Sequence, residues 1–494
     1  MELQNNTTID IDSIPQLDYN DFTEFLLKSK NPPFRCVNYF AHNNENKILL
    51  FAILACDTNP VVEIASCAVE KGKKVVSLSS QLPSINIYER EIQEQYEIEF
   101  ENSTWNKPLR FPFDRKNKSI SIANYPFFKI ESQELHEVGV GPIHAGIIEP
   151  GHFRFICNGE KVLHLEIQLG YQHRGIEHLM IANNSPIYRN KLAEIIAGDT
   201  VVGHTLAYSS IIETLTNVQC SESLDIERSI ALELERIAMH TFGLSALSTD
   251  VAYQFGCVAL QDLRTIIINT FMTWCGNRFA HKLIEPAFTK FPLNDEIKST
   301  IRKNLEEFKP RFEEVSSVML NMPSVLNRFE SIGILTHRQA SEMQFVGMTA
   351  RTCGIDRDVR HSNPFAYYKN ICPQKVVLQT GDVKARAKIR QLETLASIEY
   401  IYKLLDLHKT QKYSKPNENK LKASQIALSL TEGWRGEVCH TAITDAQGNI
   451  VRYKVKDPSL HNWSALALAV RNNDISDFPI CNKSFDLSYC GFDL

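Results

Sequence analysis

The sequence lacks a long hydrophobic run. The longest, Ile48–Cys56, has nine residues, whereas a helix needs about 20 apolar residues to cross a bilayer, and this run is typical of a buried strand. Met1–Thr8 is polar and contains no basic segment followed by an apolar stretch, so nothing here indicates a secretory signal. We therefore expect a chain without a membrane-spanning segment that works in the cytosol.

The sequence also lacks an excess of basic charge. It has 53 Lys and Arg residues against 58 Asp and Glu residues, which gives a net charge of −5. Proteins that bind nucleic acid usually concentrate positive charge to hold the phosphates. We therefore expect no nucleic-acid partner.

Closely spaced cysteines are missing as well. The chain has 12 cysteines, but the closest pair, Cys481 and Cys490, is nine positions apart, so no C-x-x-C motif exists. Self-contained zinc and iron–sulfur sites use clustered cysteines. The phosphate-loop, H-E-x-x-H and G-x-S-x-G motifs are absent, and the glycines of Gly139–Gly146 lack the dinucleotide-binding spacing. These absences argue against common hydrolase and kinase sites and predict no metal site formed by this chain.

The length of 494 residues indicates at least two domains. Short apolar runs separated by polar breaks predict a small α/β domain within residues 1–130, preceded by a loose polar leader and followed by a linker. Residues 131–494 are mainly helical in pattern. We predict an α+β protein, in which this small domain precedes a helical-bundle domain with peripheral β-hairpins.

Periodicity places the main elements of the second domain. Apolar residues at helical spacing predict long helices over 224–247, 295–320 and 383–407. Alternating segments around a turn predict a β-hairpin from Cys439–Thr444 and Ile450–Val455. The polar stretch 409–422 is predicted to be an exposed loop.

Several polar groups lie in glycine- and proline-rich segments. His144 and His152 belong to a loop between Gly141 and Arg154, where a neutral imidazole can donate a hydrogen bond or relay a proton. His173 lies in Gly170–Glu177, one helical turn from charged neighbours. Satisfied structural histidines and a capped helix start remain open as alternatives.

Two further charged groups have both a functional and a structural interpretation. Glu233, Arg236 and His240 are spaced three and four apart and therefore share one helix face, which is also what a solvated stripe requires. Arg351–Arg360 contains three arginines and two aspartates. That segment is either an exposed charged loop or a buried ion-pair lattice, and only the lattice has to be fully paired.

Many segments, taken together and in order, resemble one protein family. They are Gly141–Arg154, Gly170–Glu177, Glu233–His240, Gly347–Arg360, Thr380–Arg386, Gly433–Gly436, Asp457–Trp463 and Asp477–Pro479. Residues 135–494 resemble the large subunit of membrane-bound energy-converting [NiFe] hydrogenases of the formate hydrogenlyase and hydrogenase-4 type. They are also similar to the quinone-site subunit of respiratory complex I. Tyr88–Ile92 resembles part of the small partner subunit of complex I, fused in front.

The resemblance draws attention to missing sulfur. Hydrogenases of this family hold nickel and iron with two C-x-x-C motifs, and the matching positions here are Ala197–Thr200 and Ser488–Gly491. Soft metals require thiolate ligands. The resemblance therefore implies that a nickel–iron centre does not assemble and that hydrogen chemistry is not expected.

In complex I the equivalent cavity holds a quinone headgroup between a loop histidine and a tyrosine. His152 matches the histidine, whereas the tyrosine position falls at or next to Ala197. The resemblance thus implies a cavity in place of the metal. The residues expected to line it are Asp199, Thr200, His204, Arg351 and Ser488. We assign catalytic roles to His152, Asp199 and His204, and acceptor binding to His144, His152, His173, Arg351 and Ser488.

The resemblance implies a peripheral-arm subunit on the cytoplasmic face of the membrane. Electrons pass from an iron–sulfur cluster on a partner small subunit to a quinone or another acceptor, and antiporter-like membrane subunits move ions. No cofactor bound by this chain itself is expected. Two alternatives stay open: a true hydrogenase, and a non-enzymatic subunit that only couples conformational change to ion movement.

Overall fold

The computed structural model describes residues 1–44, 46–146, 148–416 and 420–494. The strands are β1 Glu2–Leu3, β2 Thr7–Asp10, β3 Gln16–Leu17, β4 Phe34–Asn44, β5 Lys47–Cys56, β6 Val62–Glu70, β7 Lys74–Val76, β8 Glu99–Glu101, β9 His136–Val140, β10 His152–Asn158, β11 Lys161–Gln168, β12 Gln425–Gly433, β13 Gly436–Thr444 and β14 Ile450–Lys456. The helices are α1 Tyr19–Leu27, α2 Asn86–Gln95, α3 Ile176–Ala182, α4 Pro186–Glu194, α5 Val201–Thr216, α6 Glu222–Asp250, α7 Gln254–Cys275, α8 Asp295–Asn321, α9 Pro323–Phe329, α10 His337–Glu342, α11 Gly347–Arg351, α12 Val359–Ser362, α13 Val383–Leu407, α14 Ser459–Ala469, α15 Phe478–Phe485 and α16 Tyr489–Asp493. This mixture confirms the α+β class. Within the described residues, no helix is both long and apolar enough to span a bilayer.

An antiparallel sheet forms the core of the N-terminal region. Its strands lie in the order β1-β6-β5-β4, and β3 adds to β6 in parallel. The apolar run predicted as a strand is β5, whose residues from Leu50 onward are all buried. Helix α1 packs on β6 and α2 packs on β4, and Phe22 of α1 and Tyr88 of α2 both contact Tyr39 of β4.

The first 31 residues are not the loose leader that their polarity predicts. Strand β1 pairs with β6, and β2 pairs with β12 near the other end of the chain. Ile9, Phe22 and Phe25 are buried. The few apolar residues of this segment are spaced so that each enters a core, and backbone pairing satisfies the polar positions between them.

A bundle around helix α6 forms the helical region. The three predicted helices are confirmed as α6, α8 and α13, and Ser221 caps α6 by accepting from the Leu224 N–H. Helices α5, α7, α13 and α15 all pack on α6. Consequently α6 is buried on nearly every side, and its charged residues lie inside the protein.

The predicted hairpin is confirmed, but its expected position at the periphery is wrong. Strands β14, β13, β12 and β2 form one sheet in that order, and every residue of β13 is buried. Helix α5 packs on β12 and β13, while α3 packs on β14. This sheet is therefore central, and its β12–β13 turn points into the helical bundle.

Another sheet has three strands in the order β11-β10-β9, and the glycine-rich loop connects β9 to β10. Gly141 has a φ of +85°, and a Cβ there would collide with the carbonyl of Gly151. Glycine therefore allows the two ends of the loop to approach each other. Residue 147 of this loop and residues 417–419 of the predicted 409–422 loop lie outside the described residues.

Candidate functional site

The two segments that match the metal-binding motifs, Ala197–Thr200 and Ser488–Gly491, lie side by side. Arg174 joins them, because its guanidinium donates to the backbone carbonyls of Ile196 at 2.8 Å and Cys490 at 3.1 Å. One segment leads into helix α5, and the other begins helix α16. Their proximity, which the resemblance implied, defines the candidate site.

Arg435 pairs with the first of these segments and also reaches the residues just before the second. Its guanidinium makes a bidentate pair with Asp199, at 2.5 Å to Oδ1 and 2.8 Å to Oδ2, and it also donates to the backbone carbonyl of Asp486. The indole of Trp434 donates to the Asp199 carbonyl at 2.8 Å. Burial alone would lower the pKa of Arg435, but Asp199 more than offsets this and holds the pKa above its usual value. Arg435 therefore stays charged.

The side chains of these segments offer few metal ligands. Ala197 and Gly491 have no donor atom, and Thr200 and Ser488 supply only hydroxyls. The Ser488 hydroxyl already caps α16 by accepting from the Gly491 N–H at 2.9 Å. Cys490 is the one thiol, and burial raises its pKa to about 11, which disfavours the thiolate that a soft metal needs.

This donor set does not fit a nickel–iron centre. Such a centre needs several thiolates within one coordination sphere, and the two segments supply one protonated thiol between them. Among the residues that the structure describes, no group of three or more His, Cys, Asp or Glu side chains could hold a metal ion.

His204 lies beneath the site rather than in an open chamber. It is fully buried on helix α5, and its Nε2 lies 3.0 Å from Oδ2 of Asp457. Its Nδ1 lies 3.1 Å from Nε2 of His440, whose Nδ1 lies 2.8 Å from the Tyr453 hydroxyl. A Cβ placed on Gly491 would meet the Asp457 carboxyl group at 2.7 Å. Asp457 therefore connects His204 to the second segment of the site.

The loop histidines contact the backbone of their own loop. His144 Nε2 lies 2.9 Å from the Gly151 carbonyl, and His152 Nδ1 lies 3.0 Å from the Gly141 carbonyl. A carbonyl can only accept, so Nδ1 of His152 carries the proton. The other nitrogen of His152, Nε2, is buried and has no hydrogen-bond partner among the described residues. Within the described part of the chain, His152 Nε2 is therefore an unpartnered ring nitrogen packed near Gly139, whereas the bonded nitrogen of His144 holds the loop.

A tyrosine from the second segment lies under this loop. A Cβ on Gly151 would meet the Tyr489 ring at 2.7 Å, and the ring packs edge-on against Trp463 at 4.8 Å. Burial raises the pKa of Tyr489 to about 12, and the carboxylate of Glu149 acts in the same direction. The site thus contains a neutral tyrosine that the sequence analysis did not assign.

His173 holds the end of the chain. Its Nδ1 lies 2.7 Å from the Asp493 carbonyl, and the backbone N–H groups of Arg174 and Gly175 donate to the Leu494 carbonyl. Burial lowers the pKa of His173. Its contacts position helix α16, and they do not direct the ring toward Asp199.

Arg351 belongs to a second cluster, which we call the buried lattice. Its guanidinium donates to Glu393 and Glu432 at 2.7 Å each and to the Arg357 carbonyl at 3.0 Å. The lattice comprises Glu233, Arg236, His240, Arg351, Asp358, Arg360, Glu393 and Glu432, all of them buried. Of the alternatives for these segments, the structure therefore selects the paired lattice over the exposed loop and the solvated stripe.

The lattice and the site are neighbours separated by one indole. Trp434 bonds to Asp199 on one side and meets the His240 ring edge-on at 6.1 Å on the other. His240 bonds to Glu393 at 2.9 Å. Burial lowers the pKa of His240 to about 4, so this histidine is a neutral spacer. Arg351 is thus not among the groups that the structure brings to Asp199.

The structure does not bring together all five residues expected to line the cavity, because Arg351 lies in the buried lattice. Thr200, His204, Arg351 and Ser488 are buried and bonded within the protein. The Asp199 side chain remains 38% exposed. The ion pair with Arg435 has closed the interior, and the accessible part of the site is the edge at Asp199 and the His152 loop.

Besides Tyr489, the sequence did not reveal three further residues of this site. Arg435 and Asp457 lie in Gly433–Gly436 and Asp457–Trp463, two of the segments that carry the resemblance. A motif does not show which of its side chains points into the protein. His440 lies in none of the segments that carry the resemblance. Only its position opposite His204, across the α5–β13 contact, reveals it.

Comparison with known proteins confirms the resemblance. The family described as the respiratory-chain NADH dehydrogenase 49 Kd subunit matches residues 250–425. The carbon monoxide-induced hydrogenase of Rhodospirillum rubrum is 29% identical over 354 residues, which are 71% of this chain and 97% of that protein. Hydrogenase-4 component G of Escherichia coli is 25% identical over 76% of this chain, but the match spans only 64% of that longer protein.

One solved structure shows the same fold. The membrane-bound sulfane sulfur reductase, an archaeal respiratory membrane complex, contains a chain that superposes with a TM-score of 0.68 at 22% identity. The superposition covers 74% of this chain and all of that one. The fold of the larger part of this chain is therefore one already seen in a respiratory membrane complex.

Proposed function

Because the chain is related to the large subunits of membrane-bound hydrogenases and to the 49 Kd subunit of respiratory NADH dehydrogenase, we propose that it is an oxidoreductase subunit in the peripheral arm of a complex I-like membrane complex. It works without a nickel–iron centre. Electrons pass from an iron–sulfur cluster on a partner small subunit to a quinone-like acceptor at the site. Antiporter-like membrane subunits couple the transfer to ion movement, and the chain lies on the cytoplasmic face.

One observation carries this proposal. The two segments that match the metal-binding motifs meet, but their ligand positions carry Ala197, Thr200, Ser488 and Gly491 where the hydrogenases need thiolates, and Arg435 pairs with Asp199 inside the first segment. The part of the fold that holds the metal in hydrogenases is thus retained, while the thiolates that bind that metal are absent. This combination supports an organic acceptor and argues against the hydrogenase alternative.

Buried groups of the kinds that a quinone headgroup needs lie behind the partly exposed Asp199 side chain. Arg435 carries a permanent positive charge, which stabilises the negative charge that develops on a reduced carbonyl oxygen. His152 Nε2 can accept a hydrogen bond from a quinol hydroxyl or, when protonated, donate one to a quinone carbonyl. Tyr489 supplies a buried, neutral ring in contact with the same loop.

The proposal is tested on the intact complex purified from membranes. Nickel is quantified, the iron–sulfur centres are reduced anaerobically, and their reoxidation is followed after mixing with decylubiquinone or with polysulfide. We expect substoichiometric nickel and fast reoxidation by decylubiquinone. Stoichiometric nickel contradicts the metal-free assignment, and reoxidation by polysulfide alone contradicts the quinone-like acceptor.

A variant pair separates an electron-transfer role from a purely structural one. His152→Gln removes the free ring nitrogen from the loop, whereas His337→Gln changes a histidine that is bonded to the Cys353 carbonyl, outside the site. If the acceptor binds at the loop, only His152→Gln slows reoxidation. Equal rates in both variants and in the wild type would support the non-enzymatic coupling subunit.

A further inference from the structure

Four side chains form a continuous hydrogen-bonded chain that starts beneath the site. Asp457 Oδ2 lies 3.0 Å from Nε2 of His204, whose Nδ1 lies 3.1 Å from Nε2 of His440. His440 Nδ1 lies 2.8 Å from the hydroxyl of Tyr453. All four residues are 0% exposed. Ionisable groups are seldom buried so completely unless they are paired, and here each one is paired only along this chain and with the groups at its two ends.

The hydrogen bonds of this chain have one direction. An ionised Asp457 can only accept, so His204 carries its proton on Nε2 and accepts at Nδ1. His440 must then donate from Nε2 and accept at Nδ1, which leaves the Tyr453 hydroxyl as the donor. With a neutral His204, every donor in this arrangement meets an acceptor. Burial holds the pKa of His440 well below its usual value, which agrees with a neutral His440 ring.

The two ends of the chain lie in different surroundings. Asp457 reaches the site, where a Cβ on Gly491 would meet its carboxyl group, and Arg435 helps to hold its pKa below the usual value. At the other end, Tyr453 packs on Tyr208 with ring centroids 6.4 Å apart. Tyr208 lines a cavity of about 690 Å³, which is large enough for many water molecules.

We propose that Asp457, His204, His440 and Tyr453 form a proton-transfer chain that carries protons from this cavity to the acceptor at the candidate site. This inference rests on the proposed function, because the acceptor must become negatively charged before it takes a proton. It extends that function by identifying a route that is separate from the exposed edge at Asp199.

The transfer is balanced atom by atom. Tyr453 gives its hydroxyl proton to His440 Nδ1, His440 Nε2 gives its proton to His204 Nδ1, and His204 Nε2 protonates Asp457. The carboxyl proton then passes to the reduced acceptor, whose electrons come from the iron–sulfur partner. Tyr453 is buried and does not itself line the cavity, so a proton that enters from the cavity past Tyr208 restores its hydroxyl. The cavity loses one proton and the acceptor gains one. Reorientation of both imidazoles restores the starting tautomers.

Charged neighbours favour this direction of transfer. Arg435 faces Asp457, the Glu177 carboxylate raises the proton affinity of His440, and Arg189 lies near Tyr453 and lines the cavity. The cation at Asp457 makes its carboxyl proton more acidic and promotes release to the acceptor. The anion at His440 eases entry of a proton into the middle of the chain.

The test uses the purified complex, with decylubiquinone as the acceptor. Tyr453→Phe removes only the hydroxyl at the cavity end, and Asp457→Asn removes the acid at the site end. Tyr400→Phe is the matched control, because Tyr400 is also buried and its hydroxyl donates to the Ile371 carbonyl outside the chain. Reoxidation of the reduced iron–sulfur centres is measured in H₂O and in D₂O, and unfolding midpoints verify that the variants fold.

We expect both chain variants to lower the rate constant for reoxidation by about 100-fold, the usual contribution of a positioned acid or base. The KM for decylubiquinone stays unchanged, and the solvent isotope effect rises in Tyr453→Phe because proton entry becomes limiting. A purely structural role would change KM or stability without changing the isotope effect. Wild-type rates and isotope effects in both variants overturn the proton chain alone, whereas a wild-type complex that no acceptor reoxidises overturns the proposed function and the chain together.

Discussion

Trp434 lies between two polar clusters, the buried lattice and the candidate site. They contain the same residue types but differ in how far those residues are buried and paired. In the buried lattice, the arginines and carboxylates are fully buried and paired with one another, and the atom without a partner in the described part of the chain is Nδ1 of the neutral His240. At the candidate site, Asp199 is 38% exposed and His152 Nε2 lacks a hydrogen-bond partner among the described residues. A completed network fixes the geometry of the bundle, whereas an incomplete network leaves binding capacity for a ligand. The difference in completeness separates scaffold from site more clearly than residue type does.

The near balance of charge in the lattice explains how it stays buried. Its cations are Arg236, Arg351 and Arg360, and its carboxylates are Glu233, Asp358, Glu393 and Glu432. Burial raises the pKa of Glu432 to about 6, although Arg351 opposes this shift. Glu432 is still mostly ionised at pH 7, so three arginines face four carboxylates there, and Glu432 takes up a proton only as the pH falls toward 6.

The largest expected effect comes from breaking the lattice. Arg351→Met leaves Glu393 and Glu432 buried without their main cation, and removing one partner of a buried pair typically costs about 3–5 kcal/mol. We expect the free energy of unfolding to fall by that amount in urea denaturation. A loss below about 1 kcal/mol would show that the lattice relaxes or admits water, and that it is no more complete than the site.

The next largest effect is a pH dependence of the free energy of unfolding, which comes from Glu235 between the two clusters. Glu235 on α6 accepts from the Val202 N–H at 2.7 Å, and burial raises its pKa from 4.5 to about 8. The folded state therefore binds more protons than the unfolded state between those values. Stability is present in full below about pH 4.5 and is lost as pH rises through 8, at up to about 1.4 kcal/mol per pH unit.

Glu235→Gln tests this dependence, because the amide does not ionise. We expect urea midpoints of the wild type to fall between pH 6 and 9, while those of Glu235→Gln change much less. Parallel curves for the two proteins would show that Glu235 is already ionised in the folded state. The cavity-facing Glu285 offers a control, since Glu285→Gln changes a part-exposed carboxylate that pairs with Lys290.

A smaller stability effect, joined to a large functional one, is expected at the site. Asp199→Asn weakens the pair with Arg435, and because Asp199 is half-exposed the free energy of unfolding falls by about 1 kcal/mol or less. We expect the rate of iron–sulfur reoxidation in the complex to fall by about 100-fold, because the pair orients the charge that the acceptor meets. Loss of stability without loss of rate would assign Asp199 to the scaffold.

The smallest effect is expected on the surface. Arg338 pairs with Glu342 on α10 at 2.8 Å, and the arginine side chain is 85% exposed. Arg338→Met should change the free energy of unfolding by about 0.5 kcal/mol or less and leave the reoxidation rate unchanged. Arg338→Met gives the reference value against which the stability change of Arg351→Met is compared. A larger stability change in Arg338→Met would show that burial is not what distinguishes the lattice.

The helices that the sequence predicts well are those with strong periodicity. The pattern from Val383 to Leu407 gives the bounds of α13, since the side chain of Asp382 caps its first turn and the chain turns extended at His408. The polar segment before α1 was misjudged, because pairing between β2 and β12 joins residues that are hundreds of positions apart. Local composition contains no information about such a partner.

The candidate site shows the same contrast between features that the sequence predicts and features that depend on distant contacts. Motif order was enough to predict that Ala197–Thr200 and Ser488–Gly491 would meet, and the lost thiols follow directly from residue identity. The partner of Asp199 in the first segment could not be predicted, because Arg435 reaches it from the β12–β13 turn. A substitution shows what has been removed from a site, whereas only the packing shows which neighbouring side chain contacts it.

The pairing of β2 with β12 has a consequence for synthesis of the chain. Thr8 bonds to Gln425, 417 positions later, so a ribosome must make most of the protein before the opening strand finds its place. Until then the nascent chain exposes an unsatisfied strand edge, which invites association with other chains. A holding chaperone that covers this edge during translation is therefore expected to raise the yield of assembled subunit.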